Sequence, residues 1–209
     1  MKLYQFPLSP NCQKVLALAN EVGIPIEKHT LNPFKGESRA AEILAKNPNG
    51  KVPILEDGDF VLWESNAMLG YLAAKAGRTD LAPTAARERA EVDRWLCWHN
   101  AHFGPAVGKV AFERIVKRVG GLGAPDEAIV KKGSEEFATV ARVLDTCLSG
   151  RDYLCGTLTI ADFAVATYAA LLDDCGLDLR PHRNATAWRD RMAAHPSLKW
   201  ALAEARAAA

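Results

Sequence analysis

The sequence predicts the fold class α/β plus all-α, in which a domain of order βαβαββα is followed by an all-helical domain. Three observations indicate it: a strand-helix-strand pattern over residues 2–31, an Asp-Gly turn signal between two short apolar runs at 52–63, and helical periodicity alone after residue 86. The expected division is therefore a domain at 1–76, a Gly- and Pro-containing linker at 77–86 and a helical domain at 87–209.

The first βαβ unit covers residues 2–31. "KLYQF" is typical of a strand, "CQKVLALANEVG" of a helix that ends at Gly23, and "PIEKHTL" of a second strand. One helical face is expected to be apolar, formed by Cys12, Val15, Leu16, Ala19 and Val22. The two strands are expected to lie parallel because a helical crossover joins them. Since such crossovers are almost always right-handed, this unit is expected to be right-handed.

The remainder of the first domain contains a short helix, a hairpin and a closing helix. "GESRAAEILAKN" has the helical period, and "KVPILEDGDFVLWE" holds two apolar runs, Val52–Leu55 and Phe60–Trp63, around the Asp-Gly signal. A helix from Ser65 to Lys75 is expected to complete the order βαβαββα.

The second domain is expected to contain helices at 87–117, 125–148, 160–175 and 185–207, the last interrupted at "HPS". "TLTIADF" predicts a capping box in which Asp162 accepts a hydrogen bond from the Thr159 amide and Leu158 forms the hydrophobic staple. We interpret this motif as a folding device because every helix benefits from such a cap.

Composition excludes several classes of partner. With 26 basic and 25 acidic residues, the net charge of +1 gives no long-range field for nucleic acid or an anionic membrane. The chain lacks an apolar run of about 20 residues and a signal-peptide pattern, so a cytoplasmic protein is expected. Five cysteines without a CxxC pair predict reduced thiols, and His99 and His102 lack a third ligand, so no metal is expected.

Two candidate reactive groups, Ser9 and Cys12, lie in "FPLSPNCQKV" at the start of the first helix. Ser9 would lie where free amide groups and the positive end of the helix dipole gather, so it would either cap the helix or donate to an anion. Neither a histidine base nor a G-x-S-x-G elbow accompanies it, which argues against a hydrolase. Cys12 shares the apolar face, which favours a structural role, although a first-turn position can also lower a thiol pKa.

Four stretches, in this order and spacing, resemble the glutathione S-transferase family: "SPNCQKV", "NPNGKVPILEDG", "LWESNAMLGYLA" and "TLTIADFAVA". The Ser9 pattern is most similar to the serine-type theta and phi groups. The resemblance implies a thioredoxin-like domain followed by a helical domain, usually as a homodimer, with glutathione as cosubstrate, no metal and a small apolar electrophile. It implies that Ser9 stabilises the glutathione thiolate. Cys12 remains a lower-ranked alternative, since the reactive cysteine of omega-type relatives occupies the position of Ser9.

The resemblance also implies a glutathione site. Val52 would add glutathione as a strand beside the Val52-Pro53 turn, which resembles the cis-proline turn of the thioredoxin-like fold. Ser65, taken as the N-cap of its helix, would bind the γ-glutamyl carboxylate, and Glu64 the neighbouring ammonium group. Asp93 matches an acidic residue that commonly reaches this ammonium group from the other subunit. The full set is Ser38, Arg39, Lys51, Val52, Pro53, Glu64, Ser65 and Asp93.

One position departs from the family pattern. Relatives usually carry a histidine where this chain has Ser38, so the glycyl carboxylate is expected to pair with Arg39 or Lys51 instead. The walls of the electrophile pocket are predicted to be Phe6, Leu8, Phe34, Trp98, His102 and Phe103, although aromatic residues at helical spacing also form cores.

The expected function is that of a glutathione transferase, with conjugation, reductive dehalogenation, peroxide reduction and isomerisation all open. Two alternatives remain. One is a non-catalytic module of the same fold used for protein interaction, and the other is a thiol oxidoreductase that acts through Cys12.

Overall fold

A four-stranded mixed sheet of order β2-β1-β3-β4 organises the N-terminal part of the chain. The computed structural model describes residues 1–207. Strand β1 (Lys2–Gln5) pairs in parallel with β2 (Glu27–Thr30) and antiparallel with β3 (Ile54–Asp57), which forms a hairpin with β4 (Phe60–Trp63). With helices α1 (Pro10–Glu21), α2 (Ala41–Lys46) and α3 (Ser65–Lys75), these strands give the predicted order βαβαββα. The domain is thioredoxin-like, as the sequence resemblance implies.

The two faces of the sheet are covered by different helices. Along β1 the side chains alternate, so Leu3 and Tyr4 point to opposite faces. Tyr4 lies in a buried cluster with Leu31, Ile43 of α2 and Ile54. Two short 3-10 turns, Pro33–Lys35 and Glu37–Arg39, lead into α2, which is shorter than the predicted helix at 36–47.

Helix α1 is buried on almost all sides, from Cys12 to Ala19, which differs from the single apolar face that the sequence predicts. Helix α3 contacts it, and so does the final helix, α11 (Pro196–Ala207). Leu198, Ala201 and Ala205 of α11 are buried, and Ser197 Oγ donates a 2.8 Å hydrogen bond to Glu21 Oε2 of α1. Over the residues enclosed in this way the helix has no solvent-exposed face, so a polar face is not expected in its sequence.

The chain divides into two compact units, and the division is not sequential. The first unit comprises Met1–Pro83 together with α11, and the second comprises Thr84–Ala194. The sequence division placed all of 87–209 in one helical domain, whereas α11 packs in the first unit. Residues 208 and 209 lie outside the described part of the chain.

The second unit is all-helical. Its first helical run contains α4 (Ala86–Trp98), α5 (Gly104–Ala111) and α6 (Lys117–Gly120), joined by two π-helical turns at His99–Phe103 and Phe112–Val116. A Cβ at Gly104 would lie 2.8 Å from the His99 carbonyl oxygen, so the first π-helical turn requires glycine there.

The remaining helices are α7 (Glu127–Cys147), α8 (Ile160–Ala169), α9 (Leu172–Cys175) and α10 (Arg183–Ala194). The predicted helix 160–175 is thus two helices. The predicted capping box is present at the start of α8, where Thr159 N donates a 2.9 Å hydrogen bond to Asp162 Oδ2.

Candidate active site

Ser9 occupies the N-cap position of α1 without capping the helix through its side chain. Its backbone is extended, and its carbonyl oxygen accepts hydrogen bonds from Cys12 N at 2.9 Å and Gln13 N at 3.0 Å. Pro10 follows as the first helical residue, where the lack of an N–H has no consequence. The half-buried Ser9 hydroxyl forms no hydrogen bond to the helix amides. The Ser9 side chain therefore does not perform the helix-capping role that the sequence left open.

Cys12 is a core residue with no exposed surface. Burial raises the pKa of its thiol to about 11, and hydrogen bonds to the Phe6 backbone and the Ser9 side chain, together with the charge of Lys14, offset this rise only in part. At neutral pH the group is therefore a thiol and not the thiolate that nucleophilic chemistry requires.

The N-terminal end of α3 meets that of α1. Glu64 precedes α3 with φ of 73°, a left-handed backbone conformation that residues other than glycine seldom adopt. Ser65 is the first helical residue, and Glu64 holds the N-cap position that the sequence assigned to Ser65. Ser65 is buried, and its Oγ donates to Asn11 Oδ1 across 3.3 Å. The first turns of both helices thus direct amide groups and positive dipole ends toward one region.

A buried lysine lies beneath this junction, and the sequence analysis did not identify it. Lys14 has no exposed surface, and its Nζ donates a 2.7 Å hydrogen bond to Oδ1 of Asn66, the second residue of α3. Burial lowers the pKa of Lys14 to about 7, against the opposing influence of Glu64 and Cys12. The available signal was a single charged residue inside "CQKVLALA", a run of small and apolar side chains.

The turn before β3 carries the next predicted residues. The Val52-Pro53 peptide bond is cis, as the resemblance implies. Val52 precedes the first paired residue of β3, so its peptide groups lie outside the strand ladder. Lys51 is exposed.

The residues predicted to lie near the glycyl carboxylate of glutathione differ in the solvent exposure of their side chains. A Cβ at Gly50 would lie 3.0 Å from Arg39 Cδ, so the exposed Arg39 side chain passes beside the residue that precedes Lys51. The two cations thus belong to adjoining parts of the surface. Ser38 is buried in the turn that precedes α2.

Two of the predicted pocket aromatics contact each other. Phe6 and Phe34 meet edge to face, with ring centroids 5.7 Å apart and planes at 83°. Leu8 is half-buried between Phe6 and Ser9 in sequence, and Phe34 is 37% exposed. These three residues therefore present apolar surface in the segments that adjoin Ser9.

The candidates in the second unit have partners within that unit. Asp93 accepts hydrogen bonds from Arg89 Nε at 3.0 Å, an i,i+4 ion pair on the exposed side of α4. Trp98 stacks on Phe103 at 5.5 Å, and Phe103 is completely buried and packs on Phe137. Phe103 is thus part of a core and not the wall of an open pocket. His102 is exposed.

Two features of the described residues bear on the classes of protein considered above. Within residues 1–207, no helix is long and apolar enough to cross a membrane. Nor does any group of three or more His, Cys, Asp or Glu side chains in this range lie in an arrangement that could hold a metal ion.

Comparison with known proteins yields consistent matches over both units. Residues 3–80 match the family model for the glutathione S-transferase N-terminal domain, and residues 95–196 match the model for the C-terminal domain. Glutathione S-transferase 3 of Zea mays is 36% identical over 212 residues, covering 97% of this chain and 93% of the maize protein. Glutathione S-transferase GstB of Escherichia coli is 31% identical and covers 91% and 92% of the two chains.

Among solved structures, a glutathione S-transferase-I with bound lactoylglutathione superposes with a TM-score of 0.89 at 28% identity, and the match covers 97% of this chain and 98% of the other.

Proposed function

Because the chain belongs to the glutathione S-transferase family, we propose that it is a glutathione transferase in which the Ser9 hydroxyl donates a hydrogen bond to the glutathione thiolate, which then attacks a small electrophile. The observation that carries this proposal is the state of Ser9. Its hydroxyl lies at the N-terminal end of α1 and does not cap the helix. Its side chain also contacts the thiol of Cys12, and it would turn from this neutral group to an incoming sulfur anion, which is the stronger acceptor.

The energetics of this arrangement are sufficient without a general base. A free thiol with a pKa near 8.5 must shift by about two units, or about 2.7 kcal/mol, to be mostly ionised at neutral pH. One hydrogen bond to a charged group supplies about 1.5 to 3 kcal/mol. The helix N-terminus adds about 0.3 to 1 kcal/mol. Ser9 and the α1 dipole together therefore match the requirement.

The γ-glutamyl end of glutathione would bind at the start of α3. The amide groups of the first helical turn lack intrahelical acceptors and would receive the carboxylate beside Ser65. The exposed Glu64 would pair with the ammonium group. Val52, outside the strand ladder, would offer its peptide groups to the peptide backbone of glutathione in the manner of an added strand.

The glycyl carboxylate would pair with Arg39 or Lys51, whose exposed side chains leave adjoining segments. Ser38, which is buried, would contribute through the shape of its turn. We propose that Phe6, Leu8 and Phe34 contribute walls to the electrophile pocket. We do not include Phe103 among the walls of the electrophile pocket, because it is completely buried.

A homodimer in the cytoplasm is part of the same proposal. All five cysteines are free, which agrees with a reducing compartment. Asp93 would contact the ammonium group of glutathione in the other subunit only by exchanging its ion pair with Arg89.

A thiol oxidoreductase acting through Cys12 is the less favoured alternative. Its nucleophile would have to emerge from the core and ionise against a pKa of about 11.

The test is a pH titration of the ultraviolet absorbance of thiolate for glutathione bound to the protein. We expect a pKa about two units below that of free glutathione. The low pKa should disappear in Ser9→Ala and persist in Cys12→Ala, which serves as the matched control from the same helical turn. Binding without any lowering of the pKa would refute the activation mechanism. Absence of binding would instead favour the non-catalytic interaction module.

A further inference from the structure

We propose that Gln13 is a positioning residue that fixes the orientation of the Ser9 hydroxyl, a role that rests on the proposed function. Gln13 is buried in the first turn of α1 and would not touch glutathione. It would act through the chain turn that carries Ser9, by holding that turn against the start of the helix.

Ser9 belongs to a short turn that links β1 to α1. The turn spans Phe6 to Ser9 and is closed by a 2.9 Å hydrogen bond from Ser9 N to the Phe6 carbonyl oxygen. Pro7 is its second residue, a position that proline favours because its fixed φ suits a turn. The direction of the Ser9 side chain therefore depends on how this turn is placed on the end of α1.

Gln13 binds this turn at two points. Its backbone N–H donates to the Ser9 carbonyl oxygen at 3.0 Å, and its side-chain Nε2 donates to the Pro7 carbonyl oxygen, also at 3.0 Å. The side chain can reach Pro7 because side chains on a helix lean toward the helix N-terminus. One residue thus bonds peptide groups on both sides of Leu8, which limits rotation of the backbone between Pro7 and Ser9.

A second feature separates Gln13 from a residue that serves packing alone. Its side chain is buried, and its Oε1 has no hydrogen-bond donor within residues 1–207. Leaving a buried carbonyl oxygen unpaired is unfavourable, and a methionine side chain of similar length would avoid that cost. The bond from the Gln13 nitrogen to the turn accounts for an amide at this position.

The placement of the turn matters because hydrogen bonds depend steeply on direction. The Ser9 hydroxyl would donate to the glutathione thiolate, and such a bond weakens as its angle departs from linearity. The Ser9 side chain also has a competing neighbour in the thiol of Cys12. A turn that Gln13 no longer holds would let the hydroxyl point away from the incoming sulfur, while the groups proposed to bind the two carboxylates of glutathione stay in place.

The test is the thiolate absorbance titration with bound glutathione in wild type, Gln13→Met and Gln5→Met. Loss of the bond to Pro7 should raise the pKa of the bound thiol by about one unit, half of the lowering expected for wild type. Gln5→Met is the matched control and should keep the wild-type value. Gln5 is also a buried glutamine whose Oε1 lacks a donor in the described part of the chain, but its Nε2 donates to Thr30 Oγ1 and not to the turn.

A double-mutant cycle tests whether Gln13 acts through Ser9. Because Ser9→Ala removes the hydroxyl, adding Gln13→Met to it should cause no further rise in the thiol pKa. The affinity for S-methylglutathione, which forms no thiolate, should be the same in wild type and Gln13→Met by isothermal titration calorimetry. A residue that only supports the packing of α1 would instead weaken this affinity and raise the thiol pKa in both backgrounds.

The outcomes separate the two proposals. A low wild-type pKa that Ser9→Ala abolishes and Gln13→Met leaves unchanged supports the proposed function and overturns the role of Gln13. An equal increase in Gln5→Met, an additive increase in the double variant, or weaker binding of S-methylglutathione to Gln13→Met also overturns it. A wild-type protein that binds glutathione without lowering its pKa overturns both.

A second measurement uses wild-type protein and does not depend on the folding of a variant. In a crystal structure of the glutathione complex, we expect Gln13 Nε2 to remain within hydrogen-bond distance of the Pro7 carbonyl oxygen while Ser9 Oγ lies within hydrogen-bond distance of the glutathione sulfur. A complex in which Ser9 reaches the sulfur after the bond between Gln13 and Pro7 has broken contradicts the inference. A complex in which Ser9 faces away from the sulfur contradicts the proposed function as well.

Discussion

Trp188 Nε1 donates a 2.9 Å hydrogen bond to Oδ1 of Asp162, and both residues are completely buried in the second unit. The same carboxylate accepts from Leu154 N at 3.0 Å and from Thr159 N at 2.9 Å. Asp162 therefore links the N-cap of α8 to α10 through Trp188, and to the loop before α8 through Leu154.

We predict that Asp162→Ala destabilises the protein by about 3 kcal/mol or more, because three buried donors lose their acceptor. Thr159→Ala should reduce stability by only about 1 kcal/mol, the usual value for an N-cap. Urea denaturation followed by circular dichroism measures both. Similar losses in the two variants would mean that the cap, and not the three-donor contact, is the stabilising element.

The cysteines should differ sharply in reactivity. Cys97 is exposed, whereas Cys12 and Cys175 have no exposed surface, and burial raises the pKa of each buried thiol to about 11. Native protein treated with iodoacetamide at pH 7.5 should be modified first at Cys97, and modification of Cys12 should require denaturant. Peptide mass spectrometry measures the order. Rapid native labelling of Cys12 would restore the oxidoreductase alternative.

Glu64 should have opposite effects on stability and on binding. Its positive φ is a conformation that costs about 1 to 3 kcal/mol for a residue with a Cβ. Glu64→Gly relieves this strain, so it should be about 1 kcal/mol more stable than Glu64→Ala after allowance for the backbone entropy of glycine. Both variants should bind glutathione more weakly, by tenfold or more, because both lack the carboxylate. Equal stability of the two variants would show that the turn is not strained.

Lys14 should make stability increase with pH between about 7 and 9. Its folded-state pKa of about 7 lies below its ordinary value of 10.5, so in this range the unfolded chain binds more protons than the folded one. Stability then rises with pH, by at most about 1.4 kcal/mol per unit. Above pH 9 the raised thiol pKa values of Cys12 and Cys175 act in the opposite direction.

Thermal unfolding of ligand-free wild type and Lys14→Met across pH 7 to 9 measures the contribution of Lys14. Because methionine does not titrate, the wild-type curve should rise relative to that of the variant. Parallel curves would contradict a depressed pKa for Lys14.

Local signals predicted most of the secondary structure and part of the site. The bounds Ser65–Lys75 and the capping box at Thr159 were predicted correctly because each depends on residues within one or two turns. The contact between Lys14 and Asn66 could not be predicted in this way, since 52 residues separate them in the chain. The positive φ of Glu64, between β4 and α3, was likewise not predicted, because residues other than glycine seldom adopt it.

The enclosure of α1 had the same origin. Its second neighbour, α11, begins 175 positions after the last residue of α1, at Pro196 against Glu21. The hydrophobic periodicity of a helix indicates one buried face, and it does not show how many other elements of the chain pack on that helix.

The position of α11 also determines when the first unit can be completed during synthesis. A ribosome produces β1, α1 and the whole sheet more than a hundred residues before it produces Pro196, yet Lys28 and Glu21 each have a hydrogen-bond partner in α11, Glu204 and Ser197. The nascent sheet must therefore wait with one side of α1 uncovered while the entire second unit is made. The first unit, although its synthesis begins first, is therefore completed only after the second unit has been translated.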